Sequence, residues 1–196
     1  MKLSAINKGL WAAVAIAILG FASIQFSVRY LPRQDDPAFR AEFELTNHHG
    51  KVQTEGDFAG RWMLVFFGFA NCPDVCPTTL AEVAAVMTGL GEESAQFQPI
   101  FISIDPERDT PDVLAEFVRP FDADIIGLTG SPDQIAQTAE TFPIYFERIE
   151  EATAPDGYTM GHTSHLFLFG PEAGFMQSWP YGTPAEEILT DLRQRI

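Results

Sequence analysis

The pattern of apolar and polar positions predicts strands that alternate with helices from about residue 42 onward. Arg61–Phe69 is a nearly continuous apolar run, which is typical of a strand buried on both faces of a sheet. Gln98–Ile104 is a second strand-like run, and between the two Thr78–Leu90 carries apolar residues at helical spacing. Because strands joined through helices form sheets covered by helices, this order predicts an α/β fold.

Shorter segments extend this pattern to the C-terminus. They comprise a strand pair at 43–46 and 51–53 around a turn, a helix at 111–121 with Thr110 as its N-cap, a short strand at 125–128, a helix from Ser131 to Thr141, an edge strand or turn at 142–146, a hairpin of 165–169 and 175–179, and a helix from residue 183 or 184 to about 195. Such a series describes a thioredoxin-like three-layer α/β sandwich.

The N-terminal segment has a different character. Leu10–Val28 contains no charged residue, and a helix of its length spans roughly 28 Å, close to the hydrocarbon core of a bilayer. Lys2, Lys8 and the α-amino group precede it, whereas Arg29 and Arg33 follow, and this slight bias of about three positive charges to two favours a cytoplasmic N-terminus. A cleavable signal peptide is the alternative, but the apolar run is long for one and lacks a clear cleavage site.

The chain is therefore predicted to have four parts. A segment of mixed charge with two prolines after the apolar run suits a linker between membrane and domain. The parts are a cytoplasmic N-terminus at 1–9, a transmembrane anchor at 10–28, a linker at 29–41 and a thioredoxin-like domain at 42–196.

Charge narrows the choice of partners. The formal net charge is −15, and all 27 acidic residues follow residue 34, against nine basic residues from Tyr30 onward. Such a domain repels nucleic acid and anionic membrane surfaces, and it attracts a basic protein partner. Simple solubility explains the same charge equally well.

The only two cysteines, Cys72 and Cys76, directly follow the first buried strand and precede the first helix. On a helix, a separation of four residues places two side chains on one face. A helix N-terminus favours negative charge and therefore the thiolate form of a cysteine. Two thiolates suit Cu(I), zinc or reversible disulfide chemistry. A buried structural pair is the alternative, although Pro73 and Pro77 are unusual in an ordinary core helix.

Three sequence blocks resemble the Sco/SenC family, in the order that the family has them. They are Asp57–Leu80, which holds both cysteines, Ile102–Pro111, and Tyr158–Thr163, and the likeness runs from about Phe43 to the C-terminus. Members of that family are membrane-anchored, thioredoxin-like copper proteins that help assemble the copper centre of cytochrome c oxidase. The resemblance implies that Cys72 and Cys76 bind copper, as Cu(I) or Cu(II), and form a redox-active pair capable of a disulfide.

The resemblance also implies the third copper ligand. The family motif Tyr-x-x-Asp-His-Ser/Thr falls on Tyr158–Thr163 and assigns His162, in a loop before the next strand, with His165 as second choice. This chain has Gly161 where the family usually has aspartate, which leaves the tuning of the imidazole open. His48 and His49 lie in a predicted turn and are expected to be exposed.

Asp105 has two readings. It follows a strand at the edge where α/β folds place functional groups. The resemblance puts its loop beside the cysteines, where its carboxylate would form a hydrogen bond or neutralise charge near the copper ligands without binding copper itself. Alternatively, this loop only caps the next helix, with Asp109 and Thr110 accepting hydrogen bonds from backbone amides.

The resulting functional hypothesis is a membrane-anchored metallochaperone that delivers copper to cytochrome c oxidase subunit II, or reduces the cysteines of its copper centre. It implies a copper donor, a thiol reductant, and a bacterial inner membrane with the domain in the periplasm. The alternative is an extracytoplasmic thiol-disulfide oxidoreductase using Cys72 and Cys76, although thioredoxins carry Cys-x-x-Cys and this chain has three intervening residues. Nothing in the sequence matches a peroxiredoxin active site.

Overall fold

The computed structural model describes residues 11, 14, 18–21 and 37–196, and the chain divides into two compact units, residues 1–36 and 37–196. In the first unit, the described residues are helical and exposed. The rest of the predicted anchor at 10–28, residues 1–9, and the predicted linker up to residue 36 lie outside the described residues. Among the residues that are described, no helix has the length and apolar character that a membrane crossing requires.

The second unit contains nine strands and four α-helices. The strands are β1 (Glu44–Asn47), β2 (Val52–Thr54), β3 (Trp62–Gly68), β4 (Phe97–Ser103), β5 (Ile126–Thr129), β6 (Phe146–Glu150), β7 (Tyr158–His162), β8 (His165–Phe169) and β9 (Phe175–Pro180). The helices are α1 (Val75–Leu90), α2 (Pro111–Val118), α3 (Pro132–Thr141) and α4 (Ala185–Arg193). Short 3₁₀ turns cover Glu55–Phe58, Gly91–Gln96, Arg119–Phe121 and Pro155–Gly157.

Seven strands form one mixed sheet in the order β2-β1-β5-β4-β3-β8-β9. The central strands β3, β4 and β5 run parallel, as helical crossovers require, whereas β1 and β8 join them antiparallel. Strands β6 and β7 form a separate antiparallel sheet. The predicted α/β order is therefore confirmed, with the two cysteines at the carboxyl end of central strand β3.

Burial in the core explains why the sequences of β3 and β4 are continuous apolar runs. Every residue of β4 is buried, and in β3 only Trp62 is partly exposed. Fully buried phenylalanines line the sheet, and each contributes about 1.5–3 kcal/mol relative to an exposed ring. They are Phe66, Phe67, Phe101, Phe167 and Phe169. The strand that leads to the cysteines is thus fixed on both sides by packing.

Helix boundaries follow local capping chemistry. Thr110 accepts a hydrogen bond from the Val113 amide, and Ser131 forms a reciprocal capping box with Gln134, as predicted. Helix α1 begins at Val75, three residues earlier than the apolar spacing indicated, so Cys76 lies inside its first turn. Strand β5 is shifted by one residue from its predicted position.

The hairpin of β6 and β7 was not predicted. Of the two alternatives for 142–146, the edge strand is wrong except for its last residue, whereas the turn is confirmed at residues 142 and 143. Phe142 ends α3 and packs edge-on against Phe67 and Phe169 instead of extending into a strand. Four of the five β6 residues are exposed, so the strand has no alternating apolar pattern to reveal it.

Candidate metal centre

The two cysteines lie on either side of the junction between a turn and helix α1. Cys76 is in the first helical turn and fully buried, whereas Cys72 precedes the helix and is 9% exposed. The expectation that both sulfurs share one helical face is therefore wrong. They are brought together instead because the Cys76 backbone amide donates a hydrogen bond to Cys72 Sγ, at 3.4 Å. Both thiols are free and no disulfide joins them.

The hydrogen bonding makes the two thiols unequal. The Cys76 thiol donates to the Cys72 sulfur and, with the backbone amides of Cys76 and Asp74, lowers the pKa of Cys72 to about 5. Because the Cys76 thiol needs its proton to donate this hydrogen bond, and because it is buried, the pKa of Cys76 is raised far above its usual range. At neutral pH the pair therefore contains one thiolate and one thiol, which share a single proton.

Gly68, the last residue of β3, is required by the position of Cys76. A Cβ atom at residue 68 would lie 2.6 Å from Cys76 Sγ and 2.9 Å from the Phe101 ring. Gly68 is not among the predicted site residues. A glycine that ends an otherwise apolar buried strand is the signal that was available, because it often marks a close approach of another group.

His162 is the last residue of β7, not part of a loop as predicted. Its Nδ1 lies 3.0 Å from the Thr163 carbonyl oxygen, and because a carbonyl can only accept, Nδ1 carries a proton, so Nε2 is the nitrogen available to a metal ion. The ring meets Phe66 and Phe69 edge-on, each at 6.1 Å between centroids. It is close enough to the cysteines to contribute to the lowered pKa of Cys72.

The site is not a completed three-ligand centre. Across the part of the chain that the structure describes, no three histidine, cysteine, aspartate or glutamate side chains are grouped so that they hold a metal ion. The structure brings Cys72 and Cys76 into hydrogen-bond contact and places His162 nearby on a different sheet. The donor set of two sulfurs and one imidazole nitrogen suits copper.

Asp105 is buried, but its carboxylate binds other partners than the cysteines. One oxygen accepts the Tyr158 hydroxyl at 3.0 Å, and the other forms an ion pair with Arg108. The Tyr158 ring lies between two guanidinium groups, with Arg108 and Arg148 each 3.7 Å from its centroid. Asp105 therefore ties the loop after β4 to the first residue of β7, the strand that ends at His162.

Asp109 does not cap a helix, contrary to the capping alternative, which holds only for Thr110. Its buried Oδ2 accepts from the Ala70 amide at 3.0 Å and from the Ser103 hydroxyl at 2.6 Å. Its Oδ1 has no hydrogen-bond partner among the described residues. Burial raises the pKa of Asp109 to about 6, although both hydrogen bonds oppose this shift.

The other histidines are poorer ligands. His48 is half-buried, not exposed as predicted, and its Nδ1 accepts the Gly127 amide at 3.0 Å, so the ring proton is on Nε2 and no nitrogen is free. His49 is exposed, as predicted. His165 is half-buried at the start of β8, where its ring meets Phe167 edge-on.

Gly161 lies opposite Glu147 in the β6–β7 ladder. A Cβ at residue 161 would come 2.9 Å from Ile149 Cδ1, so an aspartate there requires the end of the Ile149 side chain to move, whereas Glu147 Cγ, at 3.6 Å, would be in ordinary contact. Because side chains alternate along a strand, this position faces away from the His162 ring. In this chain, the carboxylate on that face of the hairpin is that of Glu147, which pairs with Gly161 from the neighbouring strand.

Comparisons with known proteins agree with this architecture. Residues 32–196 match the family SCO1/SenC. The mitochondrial SCO2 homolog of Bos taurus is 35% identical over 159 residues, which cover 80% of this chain and 59% of that protein. The crystal structure of Arabidopsis thaliana ScoI with copper bound has a TM-score of 0.74 and 34% identity, and covers 80% of this chain and 97% of that one.

A third relative is BsSco, a member of the Sco family of cytochrome c oxidase assembly proteins in which a disulfide switch has been identified. It has a TM-score of 0.64 and 27% identity, over 81% of this chain and 95% of that one. The chain spans about three fifths of the length of the Bos taurus relative. The superpositions confirm the predicted thioredoxin-like α/β fold. With the family match covering residues 32–196, this chain belongs to the SCO1/SenC family.

Proposed function

We propose that this chain is a copper metallochaperone for cytochrome c oxidase assembly, which carries one copper ion on Cys72, Cys76 and His162. The observation that carries this proposal is the buried, unbridged cysteine pair at the N-terminus of α1, in which the Cys76 amide donates to Cys72 Sγ. The copper bound to Arabidopsis thaliana ScoI and the oxidase-assembly role of the family of BsSco support the same function here.

The three side chains have different tasks when copper arrives. The Cys72 thiolate binds first, because it is already deprotonated and its sulfur is a soft donor that suits Cu(I). Cys76 loses its proton as the cation approaches, since a bound metal stabilises the thiolate form. His162 contributes the Nε2 lone pair and moves toward the two sulfurs, because the described residues hold no preformed three-ligand group.

Copper in this scheme is cargo. We propose that it passes by ligand exchange to the copper centre of cytochrome c oxidase subunit II, or that the reduced pair reduces the cysteines of that centre. A copper donor loads the site, and a thiol reductant keeps Cys72 and Cys76 reduced outside the cytoplasm. The excess of acidic over basic residues favours a basic docking partner and disfavours nucleic acid.

We also propose that the protein is a single-pass protein of the bacterial inner membrane, anchored by residues 10–28 with its domain in the periplasm. The uncharged run of that segment and the basic residues before it support this topology. Alkaline phosphatase fused after residue 196 is expected to be active, because that enzyme needs the periplasm to form its disulfides. An inactive fusion would place the domain in the cytoplasm.

Thiol-disulfide exchange is the second candidate function, and the low pKa of Cys72 favours it. A Cys72 thiolate attacks a partner disulfide, and one partner sulfur leaves as a thiolate, which takes the proton of Cys76. The Cys76 thiolate then displaces the other partner sulfur by forming the Cys72–Cys76 disulfide. His162 separates the two functions, because copper binding uses its imidazole and disulfide exchange does not.

The first test is an anaerobic Cu(I) titration of the reduced full chain in detergent against a chelating competitor. We expect one tightly bound copper per chain and its loss in Cys72→Ala. His162→Ala is expected to weaken copper binding by orders of magnitude while thiol reactivity persists. Unchanged copper affinity in His162→Ala would sink the assignment of that ligand. Absence of competitive binding in the wild type would favour the oxidoreductase, with the reduction potential of the pair as the next measurement.

A further inference from the structure

We propose that Asp109 is a positioning residue, which clamps the turn of residues 69–74 against the end of β4 and so determines where Cys72 lies. The predicted effect of Asp109 on copper affinity rests on the proposed function, whereas the clamp itself does not. Asp109 is 1% exposed and is not among the proposed copper ligands.

Both hydrogen bonds of the clamp end on one carboxylate oxygen. Oδ2 of Asp109 accepts the backbone amide of Ala70 at 3.0 Å and the hydroxyl of Ser103 at 2.6 Å. The Ser103 oxygen in turn accepts the Asp105 amide at 3.0 Å. A single buried atom therefore joins the turn that follows β3 to the last residue of β4 and the loop beyond it.

The position of Cys72 depends on this bond through a short stretch of backbone. Ala70 lies two residues before Cys72, and the Cys72 amide donates back to the Phe69 carbonyl at 3.2 Å, which closes the turn. Without the carboxylate, the partly buried Ala70 amide loses its acceptor, which is unfavourable, and the turn must shift to regain one. Such a shift moves the Cys72 sulfur relative to the Cys76 amide that donates to it.

Three substitutions of Asp109 distinguish the position of its hydrogen-bonding oxygen from the negative charge of its carboxylate. Asp109→Asn keeps a carbonyl oxygen where Oδ2 lies and therefore keeps both hydrogen bonds without the charge. Asp109→Glu keeps the charge but moves the oxygens by one methylene group, and Asp109→Ala removes both bonds. Gln98→Ala is the matched control, because Gln98 is 2% exposed and donates to the carbonyls of Pro99 and Asp124 near the opposite end of β4.

Hydrogen exchange of the reduced, copper-free full chain in detergent is measured first, on the peptide that covers residues 69–72. We expect faster exchange in Asp109→Ala and Asp109→Glu, and wild-type exchange in Asp109→Asn and Gln98→Ala. Cu(I) affinity is then expected to fall about ten- to a hundredfold in the Ala and Glu variants, as for other residues that orient metal ligands, and to change little in Asn and the control.

Wild-type exchange at residues 69–72 in Asp109→Glu would overturn the clamp, and this variant decides the matter even where Asp109→Ala does not fold. Asp109→Asn as impaired as Asp109→Glu would also overturn it, since an acceptor oxygen kept in place would then fail to hold the turn. If the wild type binds no copper, the proposed function fails while the exchange data still decide whether the clamp exists.

Discussion

The cysteine turn and the β6–β7 hairpin contribute to the same candidate centre, but they are held in different ways. The turn continues from β3, a central strand of the seven-stranded sheet, and both its sulfurs are buried. The hairpin forms its own two-stranded sheet, and most of β6 is exposed. Two of the proposed ligands are thus fixed by the core, while the third lies on an element that depends on a few side-chain contacts.

This difference suits a carrier of copper better than a permanent copper site. A preorganised pair of sulfurs captures the ion with little rearrangement, because its packing and hydrogen bonds are formed during folding. A half-buried imidazole on a separate hairpin is able to approach and leave without disturbing the core. Under the proposed function, we expect release of copper to a partner to begin at His162 and not at the cysteines.

Removing a cysteine is expected to have the largest effect. Cys76→Ala deletes one of the two proposed sulfur ligands and leaves the thiolate of Cys72 without its thiol donor, so Cu(I) affinity is expected to fall by orders of magnitude. Competition with a chelator in the absence of oxygen measures it. Leu90→Ala, a buried substitution at the far end of the same helix, serves as control and is expected to retain copper. Retained affinity in Cys76→Ala would show that the hairpin side, not the turn, dominates binding.

Gly68→Ala tests whether the core fixes the turn. The added methyl group would lie 2.6 Å from Cys76 Sγ, so either the sulfur or β3 must move. Overpacking of this kind costs about 1–3 kcal/mol of unfolding free energy. We expect this loss in urea denaturation, together with weakened copper binding. Gly56→Ala, whose Cβ meets nothing closer than 3.4 Å, is the matched control. Equal behaviour of the two variants would show that the turn adapts freely.

The pH dependence of Cys72 alkylation tests the asymmetry within the pair. Because the pKa of Cys72 is lowered to about 5, its thiolate persists through neutral pH. The rate with iodoacetamide is expected to be nearly constant from pH 8 to pH 6 and to fall as pH drops through about 5. Cys76→Ser keeps a hydrogen-bond donor and is expected to retain more of this shift than Cys76→Ala. A rate that already declines between pH 9 and pH 7 would contradict the proton sharing.

Tyr158→Phe is expected to have the smallest effect and acts on the hairpin alone. It removes the hydroxyl that donates to Asp105 and keeps the ring between Arg108 and Arg148. Loss of this hydrogen bond is expected to lower the free energy of unfolding by about 1 kcal/mol. Hydrogen exchange in β7 is expected to accelerate while exchange in β3 stays the same. Tyr181→Phe, at an exposed position, is the control. Equal acceleration in β3 would mean that the hairpin and the core do not open separately.

Sequence patterns predicted the parts of the fold that packing determines. Strands such as β3 and β4 are continuous apolar runs because they are buried on both faces, and Thr110 and Ser131 mark helix starts because capping is local chemistry. The hairpin was missed because pairing of β6 with β7 stabilises residues whose side chains are exposed.

The site shows the same division. Cys72 and Cys76 were identified from their spacing and from their place after a buried strand, and His162 only from family resemblance. Gly68 was missed although its place at the end of an apolar strand was a local signal, and Asp109 was assigned only to helix capping because its contact with Ala70 joins residues distant in sequence. The Asp109 carboxylate reaches Ala70 from a different loop, and no local pattern encodes that bond.

X-ray absorption spectroscopy of the Cu(I)-loaded chain tests most directly whether a fixed cysteine pair recruits a histidine from the hairpin. The wild type is expected to show two sulfur neighbours and one imidazole nitrogen, and His162→Ala to keep both sulfurs and lose the nitrogen signal. An identical copper environment in the wild type and in His162→Ala would contradict a centre shared between the turn and the hairpin.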